Sequence, residues 1–412
     1  MTGTYPTAPA VRLPARPVEK LLTVMWFVVT FTVFPRDELI LYPLALYFFY
    51  AFFRQAHTTL PILLRCWPLM LLPVWAMVTS ATAVLPSVAF RTAIQMILTM
   101  QVCILLVVWM RPREILLTVL AATGICGILS VFFTSYHDGA MTGIFAHKNM
   151  LGAKMLLLWL SSLCVALDPW MRLWVRSIAL GLAALALMLI VASHSATALV
   201  LAVLIAVMIV IFSFFAGRGS RTPMDRFALG LILCGILGVA IPFAISASSE
   251  TPLALLLQRL GKSSTLTGRT ELWGYAEDVI RQRPWTGHGS GGFWRYEEND
   301  LVRQIFAEFH KSPNQVFSFH NSYFEITVHF GLVGLALAIF VLCWAFVRLI
   351  AQLLRRGGMP FVFFTCVAVV ELARSMVESE LMRPFILGQM LIWIGTIYVS
   401  RYPLRQKRIH AS

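Results

Sequence analysis

One histidine stands where a long polar stretch of the chain gives way to an apolar one. His320 is followed at once by Asn321 in the segment FHNSYFEITVHFGLVG. A neutral imidazole near pH 7 can accept a proton from an attacking hydroxyl, although a histidine at such a boundary is also commonly an anchor or a hydrogen-bonded packing residue. Glu325 lies five residues further on and does not share a helical face with His320, so the spacing gives only weak support to an orienting role.

An arginine in TLTGRTELW is the second candidate for chemistry. Arg269 stands just before an amphipathic pattern, where a cation gains nothing from the helix dipole. An anionic ligand bound by the guanidinium and by the free N–H groups of the helix end would resolve that conflict. The fork of an arginine fits phosphate oxygens, and a diphosphate leaving group needs its charge neutralised as its bond breaks. A solvated surface arginine is the alternative interpretation.

Further cations lie at helix ends on the side of the membrane that we predict to face outward. Arg91 occurs in PSVAFRTAIQ, and Lys148 and Lys154 occur in GIFAHKNMLGAK. Each one alone could extend towards lipid head groups. As a set at one membrane face, they could form a phosphate-binding basin. Arg36 and Arg383 are two more cations on that side.

Acidic residues near the last apolar segments are expected to have partners. Charged side chains within a membrane are costly unless they are paired. We therefore expect Glu371, Glu378 and Glu380 to pair with Arg374 and Arg383.

The sequence contains no nucleotide-binding loop, no HExxH motif and no cluster with metal-ligand spacing. Its seven cysteines all fall within apolar segments, which indicates packing rather than a disulfide framework or a metal site. We predict that the reaction uses no metal and no cofactor, and that it takes a preactivated donor without ATP.

The elements that position these residues must be membrane helices. The 412 residues are 59% hydrophobic and only 13% charged, with a mean hydropathy of +0.78. Long apolar runs without strand-like alternation predict an all-α polytopic membrane protein with about twelve transmembrane helices. The predicted segments are 21–35, 39–53, 61–85, 88–110, 115–134, 149–168, 174–192, 196–217, 227–247, 321–347, 359–377 and 384–400.

The distribution of Lys and Arg predicts the orientation of the chain. The net charge is +14, and most cations fall on alternate connections and on the C-terminal tail. By the positive-inside rule both termini are cytoplasmic, in a bacterial inner membrane. The predicted regions are a cytoplasmic tail (1–20), helices one to nine (21–247), a large periplasmic loop (248–320), helices ten to twelve (321–400) and a basic cytoplasmic tail (401–412).

The large loop carries its own helical patterns. Leu272, Ala276, Val279 and Ile280 form one apolar face, with Thr267 as N-cap and Pro284 as a stop. A second apolar face consists of Leu301, Ile305, Phe306 and Phe309. The glycine-rich sequence GHGSGGFW at 287–294 predicts a turn between the two helices. The loop is thus expected to be a small helical subdomain that lies on the membrane surface or caps a cavity.

Four stretches resemble the O-antigen ligase and O-antigen polymerase superfamily of bacterial membrane glycosyltransferases. GIFAHKNMLGA has Asn149 at a family asparagine, and SHSATALV resembles a short serine-rich segment. TGRTELWGYAEDVIRQRPWTGHGSGGF resembles the core of the large periplasmic loop, and HNSYFEITVHFGLVG resembles a helix opening. The matches follow in order over residues 140–335. Many members have an arginine in the serine-rich segment, where this chain has Ala196 with His194 two residues earlier.

The resemblance implies a glycan donor carried on undecaprenyl diphosphate and a metal-independent, inverting transfer. By position, His320 would activate the acceptor hydroxyl and Arg269 would hold the diphosphate. Because the serine-rich segment lacks its arginine, the second cation would come from Arg91 or Lys148. The residues expected to bind the donor are Arg91, Lys148, Asn149, Lys154 and Asn321. Further candidates are Arg36, His194, Glu325 and Arg383.

Several functions remain open from the sequence. The position of the dominant loop most resembles the lipopolysaccharide O-antigen ligases, which transfer a finished polymer to lipid A-core. An O-antigen polymerase would use the same donor with a second lipid-linked repeat unit as acceptor. The protein O-oligosaccharyltransferases of the superfamily commonly carry additional C-terminal sequence. A secondary transporter would be built from repeated halves with polar residues near the midplane, whereas the candidate residues here lie at the outer face. No nucleic-acid partner is expected.

Overall fold

The computed structural model describes residues 17–32, 34, 36–137, 139–216, 269–313 and 315–401. The predicted ninth segment (227–247), Thr267, and residues 1–16 and 402–412 of the two predicted tails lie outside these ranges. The helices are Pro17–Phe31 (α1), Glu38–Arg54 (α2), Ala56–Arg65 (α3), Leu71–Ser80 (α4), Pro86–Trp109 (α5), Pro112–Phe132 (α6), Lys148–Ala166 (α7), Leu173–Ala192 (α8), Ala196–Ala216 (α9), Arg269–Gln282 (α10), Asp300–Glu308 (α11), Ser322–Arg356 (α12), Met359–Ser375 (α13) and Leu387–Arg401 (α14). A 3₁₀ turn, Trp67–Met70, precedes α4.

The chain is a helical polytopic membrane protein. Within the described ranges six helices, α5, α6, α7, α8, α9 and α12, are long and apolar enough to cross a membrane. The pair α2 and α3, bent by 92°, would make a seventh span. The prediction of about twelve spans is therefore met only in part by helices of this length, and α1, α13 and α14 are shorter apolar helices of 15, 17 and 15 residues.

A short hairpin joins α6 to α7. Its strands, Tyr136–His137 (β1) and Ala140–Met141 (β2), are antiparallel, with Tyr136 opposite Met141. The turn uses Gly139 at φ 72°, a backbone angle that glycine adopts without steric cost. The hairpin then leads into the N-terminus of α7, where the Nδ1 atom of His147 accepts a hydrogen bond from the backbone of Met150.

Helix α7 lies inside the bundle and contacts α6, α8, α9 and α13. Its first turns approach the connection between α8 and α9 closely. A Cβ atom added at Gly152 would lie 2.8 Å from Oγ of Ser193 and 2.9 Å from Cβ of Ser195. The helix that begins at Lys148 therefore packs against the serine-rich turn.

The first turns of α12 are separated from the rest of the helix by a break at Gly331. The backbone there has φ 71° and ψ −177°, which is not helical. Backbone groups freed by such a break need partners, since a membrane interior offers no water. The amides of His288 and Gly289 donate to the carbonyls of Val328 and His329 at 2.8 and 3.0 Å.

Two more hydrogen bonds satisfy backbone groups on either side of Gly331. The amide of Leu332 donates to the carbonyl of Pro284 at 2.7 Å. Nε1 of Trp75, on α4, donates to the carbonyl of Phe330 at 2.9 Å. The polar segment before α12 is thus hydrogen-bonded into the helix itself, and it cannot move away without exposing these groups.

We expect Gly331→Ala to destabilise the protein by about 2 kcal/mol or more. A Cβ atom at this position would collide with the carbonyl of Trp285, and the positive φ is unfavourable for alanine. The measurement is the free energy of unfolding by SDS in mixed micelles. Gly274→Ala on α10 is the matched control, because Gly274 is helical and a Cβ atom there meets open space. We expect this substitution to raise the free energy of unfolding by less than about 1 kcal/mol. Equal stabilities of the two variants would contradict this account.

Candidate active site

The polar segment before α12 has an apolar core of its own. We call residues 269–313 and 315–321 the loop segment. Its α10 and α11 pack against the aromatic residues that precede α12. The buried residues of this core are Leu272, Ala276, Val279, Phe293, Val302, Ile305, Phe306, Phe317, Phe319 and Val328. The core explains why a stretch rich in polar residues keeps a defined shape above α12.

Helix α12 begins at a sharply defined N-cap. Oδ1 of Asn321 accepts hydrogen bonds from the amides of Tyr323 and Phe324, at 2.9 and 3.4 Å. Asparagine is among the favoured N-cap residues because its side chain satisfies the free amides of the first turn. Asn321 is therefore engaged by its oxygen, and its amide nitrogen is the group that remains for a ligand.

His320 is held just outside the helix in a strained conformation. Its φ is 49°, in the left-handed region that non-glycine residues seldom adopt. Such angles persist where the surroundings over-determine them, and they cluster at functional sites. The carbonyl of the preceding residue, Phe319, accepts a hydrogen bond from Nε1 of Trp273 at 2.9 Å. The imidazole itself is about one-third exposed (37%), so a substrate can reach it.

Glu325 fixes the backbone before His320 from the other side. Its buried carboxylate accepts hydrogen bonds from the amide of Phe319 at 3.1 Å and from Nε1 of Trp294 at 2.9 Å. Nη2 of Arg383 lies 3.4 Å from the same carboxylate. The expectation of only a weak orienting role rested on helical spacing, but the chain bends at His320, and Glu325 bonds to the backbone of Phe319 before the bend.

Removing the Glu325 carboxylate should destabilise the fold. Glu325→Ala leaves the Phe319 amide and the Trp294 indole buried without their acceptor and leaves Arg383 without its partner, and we expect a loss of about 3 kcal/mol. SDS-induced unfolding measures this loss. Glu298→Ala, at an exposed position of the loop segment, is the control and should lie within about 0.5 kcal/mol of wild type. A Glu325→Ala variant as stable as Glu298→Ala would refute the positioning role.

Arg269 reaches the neighbourhood of His320 through α10. It is the first residue of that helix and is partly exposed. Trp273 lies four residues later on the same helical face, bonds to Phe319 and stacks on Phe324 with ring centroids 5.7 Å apart. Because Trp273 contacts the residue before His320, Arg269 lies about one helical turn from that contact. This brings the two predicted catalytic residues to one end of the bundle.

The acidic residues near the last helices form an ion-pair cluster. Arg374 pairs with Glu371 at 3.2 Å and with Glu380 at 2.8 Å, as the sequence predicts. The pairing of Arg383 differs from expectation, because its partner is Glu325. Burial alone would raise the pKa of Glu380, but the positive charges of Arg374 and Lys154 outweigh burial and lower that pKa to about 2.

Lys154 belongs to this cluster rather than to the exposed surface. Its side chain is buried, with only 9% exposed, and Nζ lies 5.1 Å from the centre of the Phe31 ring. Its charge acts on Glu371 and Glu380. A lysine that extends to lipid head groups would be exposed, so that alternative for Lys154 does not fit its surroundings.

The glycine-rich turn at 287–294 packs against the connection between α4 and α5. Gly287, Gly289 and Gly291 all have positive φ angles. The His288 carbonyl accepts a hydrogen bond from the amide of Val84 at 3.0 Å. Burial lowers the pKa of His288, whose ring lies 3.0 Å from the Val279 carbonyl, so this imidazole is neutral near pH 7.

Arg91 is exposed on α5 close to the glycine-rich turn. A Cβ atom added at Gly291 would touch Val88 and Thr92, which flank Arg91 on α5. Arg91 is thus placed beside the loop segment without being tied to His320 by a contact in the part of the chain that is described.

The other predicted site residues lie on or beside other helices. Lys148 is partly exposed and Asn149 is exposed, both in the first turn of α7. His194 is exposed in the turn next to Gly152, with φ 49°. Arg36 is exposed beside α2, with φ 65°. In the described ranges, no group of three or more His, Cys, Asp or Glu side chains is arranged to hold a metal ion.

The structure adds residues that sequence reasoning did not assign to the site. Trp273 and Trp294 bond to the Phe319 carbonyl and the Glu325 carboxylate, and Glu378 faces His320. The two tryptophans lie in the stretch TGRTELWGYAEDVIRQRPWTGHGSGGFW, and the sequence analysis gives neither of them a role at the site. Because a buried tryptophan usually donates its indole N–H to a partner, tryptophans in this stretch indicate hydrogen bonds to nearby polar groups.

The fold and this polar site at one end of the bundle define a helical polytopic membrane protein, and comparison with known proteins places it more closely. A model of the O-antigen ligase family matches residues 181–339. The exopolysaccharide production protein ExoQ of Rhizobium meliloti (strain 1021) is 28% identical over 342 residues, which cover 80% of this chain and 76% of ExoQ. Both matches support the O-antigen ligase and polymerase superfamily as the family of this chain, which confirms the resemblance predicted from its motifs. They support a membrane enzyme of the polysaccharide ligase or polymerase type.

Proposed function

We propose that this protein is a glycosyltransferase that moves an O-antigen polysaccharide from undecaprenyl diphosphate to lipid A-core. The observation that carries the proposal is the placement of His320. Its imidazole is accessible and held outside the start of α12, while α10 brings Arg269 to the same end of the bundle. A base beside an anion-binding arginine is the arrangement that displacement of a diphosphate needs.

The proposed reaction is a direct displacement without a metal. The oxygen of the acceptor hydroxyl attacks the anomeric carbon of the donor, and the bond from that carbon to the diphosphate oxygen breaks. The electron pair leaves with undecaprenyl diphosphate, and the proton of the acceptor hydroxyl passes to Nε2 of His320. Attack from the face opposite the leaving group inverts the anomeric configuration.

The leaving diphosphate is proposed to bind a set of cations and amides around this point. Arg269 supplies a fork for two phosphate oxygens at the N-terminus of α10. Arg91, Lys148 and Asn149 are exposed enough to contribute from α5 and α7. The amide nitrogen of Asn321 can donate a hydrogen bond to a phosphate oxygen. Lys154 is buried, and its positive charge adds to that of Arg374 near Glu380.

The proposed topology follows the positive-inside rule. About twelve helices would span the bacterial inner membrane with both termini in the cytoplasm. The loop segment would then face the periplasm, above the start of α12. A lipid-linked donor and a lipid-anchored acceptor would meet at this face, where the head groups of both lie at the depth of His320.

A polymerase is the second candidate, and the similarity to ExoQ favours it. That relative is named for exopolysaccharide production, and the two proteins align over most of their lengths. A polymerase would use the same base and the same leaving group, with the sugar hydroxyl of a second lipid-linked repeat unit as acceptor. The two functions thus differ in the acceptor alone.

The deciding experiment supplies purified protein with one donor and two acceptors. Lipid-linked glycan is incubated with lipid A-core in one reaction and with a second lipid-linked repeat unit in the other, without added metal or ATP. We expect transfer to lipid A-core. Transfer to the repeat unit alone would identify a polymerase, and no transfer to either acceptor would contradict the proposed function.

A further inference from the structure

Glu378 faces the imidazole of His320 from the connection between α13 and α14. Its Oε2 atom lies 3.8 Å from Nδ1 of His320. That ring nitrogen is buried and has no hydrogen-bond partner among the described residues. The separation exceeds an ordinary hydrogen bond by about 0.8 Å, and such bonds are often long until substrate is bound. The nearest carboxylate is therefore aimed at an unsatisfied nitrogen of the proposed base.

The two segments that carry these side chains are hydrogen-bonded to each other. The amide of Asn321 donates to Oγ of Ser379 at 3.0 Å. Oγ of Ser322 donates to the Glu378 carbonyl at 2.6 Å, and the amide of Leu381 donates to the same Oγ at 3.2 Å. These three bonds join the residues directly after His320 to Glu378 and the residues that follow it, so the two segments are held side by side at the pair.

Other charged groups lie around His320 but do not face its ring nitrogen in the same way. Glu325 binds the Phe319 amide and Arg383 on the far side of the backbone. Lys311 lies 5.5 Å above the Phe317 ring, which itself contacts the imidazole edge to face at 5.7 Å. In the described part of the chain, no carboxylate other than Glu378 lies within 4.0 Å of the imidazole nitrogens.

We infer that Glu378 is a positioning residue for His320. It accepts a hydrogen bond from Nδ1–H, which leaves Nε2 without a proton and turned towards the acceptor hydroxyl. When Nε2 takes the hydroxyl proton, the carboxylate stabilises the imidazolium and itself stays ionised. This role rests on the proposed function, whereas the coupling between the two side chains can be tested without any transfer.

The first test is the pH dependence of transfer in Glu378→Gln. Glutamine keeps the shape but removes the charge, so His320 should hold its proton less firmly. The acidic limb of the rate profile should move to lower pH, and the rate at the optimum should fall about tenfold. Glu298→Gln, exposed in the loop segment, is the matched control and should retain the wild-type profile.

The second test does not depend on transfer. Diethyl pyrocarbonate modifies neutral imidazole, and mass spectrometry of peptides follows His320 separately from the exposed His310. The pH midpoint of His320 modification should be lower in Glu378→Gln than in wild type and in Glu298→Gln, while that of His310 should be the same in all three proteins.

The outcomes separate the two proposals. An unmoved His320 midpoint in Glu378→Gln overturns the positioning role, whether or not the rate falls, because a purely structural loss would lower the rate alone. A lowered midpoint in a protein that transfers glycan to neither acceptor supports the coupling and overturns the proposed function. A lowered midpoint with a displaced rate profile supports both.

Discussion

His320→Ala should lose glycan transfer by a factor of about 10² to 10⁴, the range typical of a missing general base. The hydroxyl of the acceptor would then have no group to take its proton as the new bond forms. The measurement is the single-turnover rate with lipid-linked glycan and a saturating acceptor. The amount of folded protein is checked by SDS-induced unfolding, because alanine tolerates the positive φ of this position less well than histidine.

The chain offers a close control for this substitution. His310 lies in the loop segment, is exposed and has a similar φ of 50°. His310→Ala therefore reproduces the backbone cost without touching the proposed base, and its rate should match wild type within a factor of about two. A His320→Ala protein that is folded and transfers at the rate of His310→Ala would remove His320 from the mechanism.

Arg269→Ala should lower the transfer rate by about 10² to 10³-fold, because charge on the departing diphosphate would lose its fork of donors. Arg269→Lys should recover only part of the rate, since an ammonium group keeps the charge but not the paired geometry. Transfer assays at a series of donor concentrations distinguish a loss of donor affinity from a loss of the chemical step.

Arg281→Ala is the matched control on the same helix. Arg281 lies near the other end of α10, has 74% of its side chain exposed and pairs with Glu277 and Asp278 on the helix surface. Exposed pairs of this kind contribute little, so the variant should transfer glycan normally. Equal rates for the Arg269 and Arg281 variants would show that Arg269 does not hold the leaving group.

The sequence predicts the class of fold, and it singles out a candidate site, because both inferences depend on local patterns. Long apolar runs define most of the helices, and the amphipathic face of Leu272, Ala276 and Val279 corresponds to the buried side of α10. The polar stretch that ends at His320 is easily recognised, because the segments on both sides of it are apolar. These features can be read within one segment at a time.

The parts that could not be predicted depend on contacts between distant segments. Glu378 and His320 are 58 residues apart, and the rule that charges in a membrane need partners indicates Arg374 and Arg383 as partners of Glu378. Helical spacing does not predict the role of Glu325, because it assumes a continuous helix, whereas His320 has a left-handed backbone and the chain bends there. The sequence does not distinguish Lys154 from an exposed lysine, because its burial depends on contacts with Phe31 of α1 and with the acidic residues near α13.

The break in α12 bears on attempts to change what this enzyme accepts. Transplanting the polar loop from a relative would be the natural way to exchange specificity. Here, however, the loop segment is hydrogen-bonded to the broken helix. The amides of His288 and Gly289 donate to α12, and the carbonyl of Pro284 accepts from the amide of Leu332. A grafted loop whose backbone departs from this geometry would leave those groups of α12 without partners, and we expect the recipient to be destabilised. A graft that includes the helix as far as residue 332 carries both sides of these hydrogen bonds and avoids the mismatch.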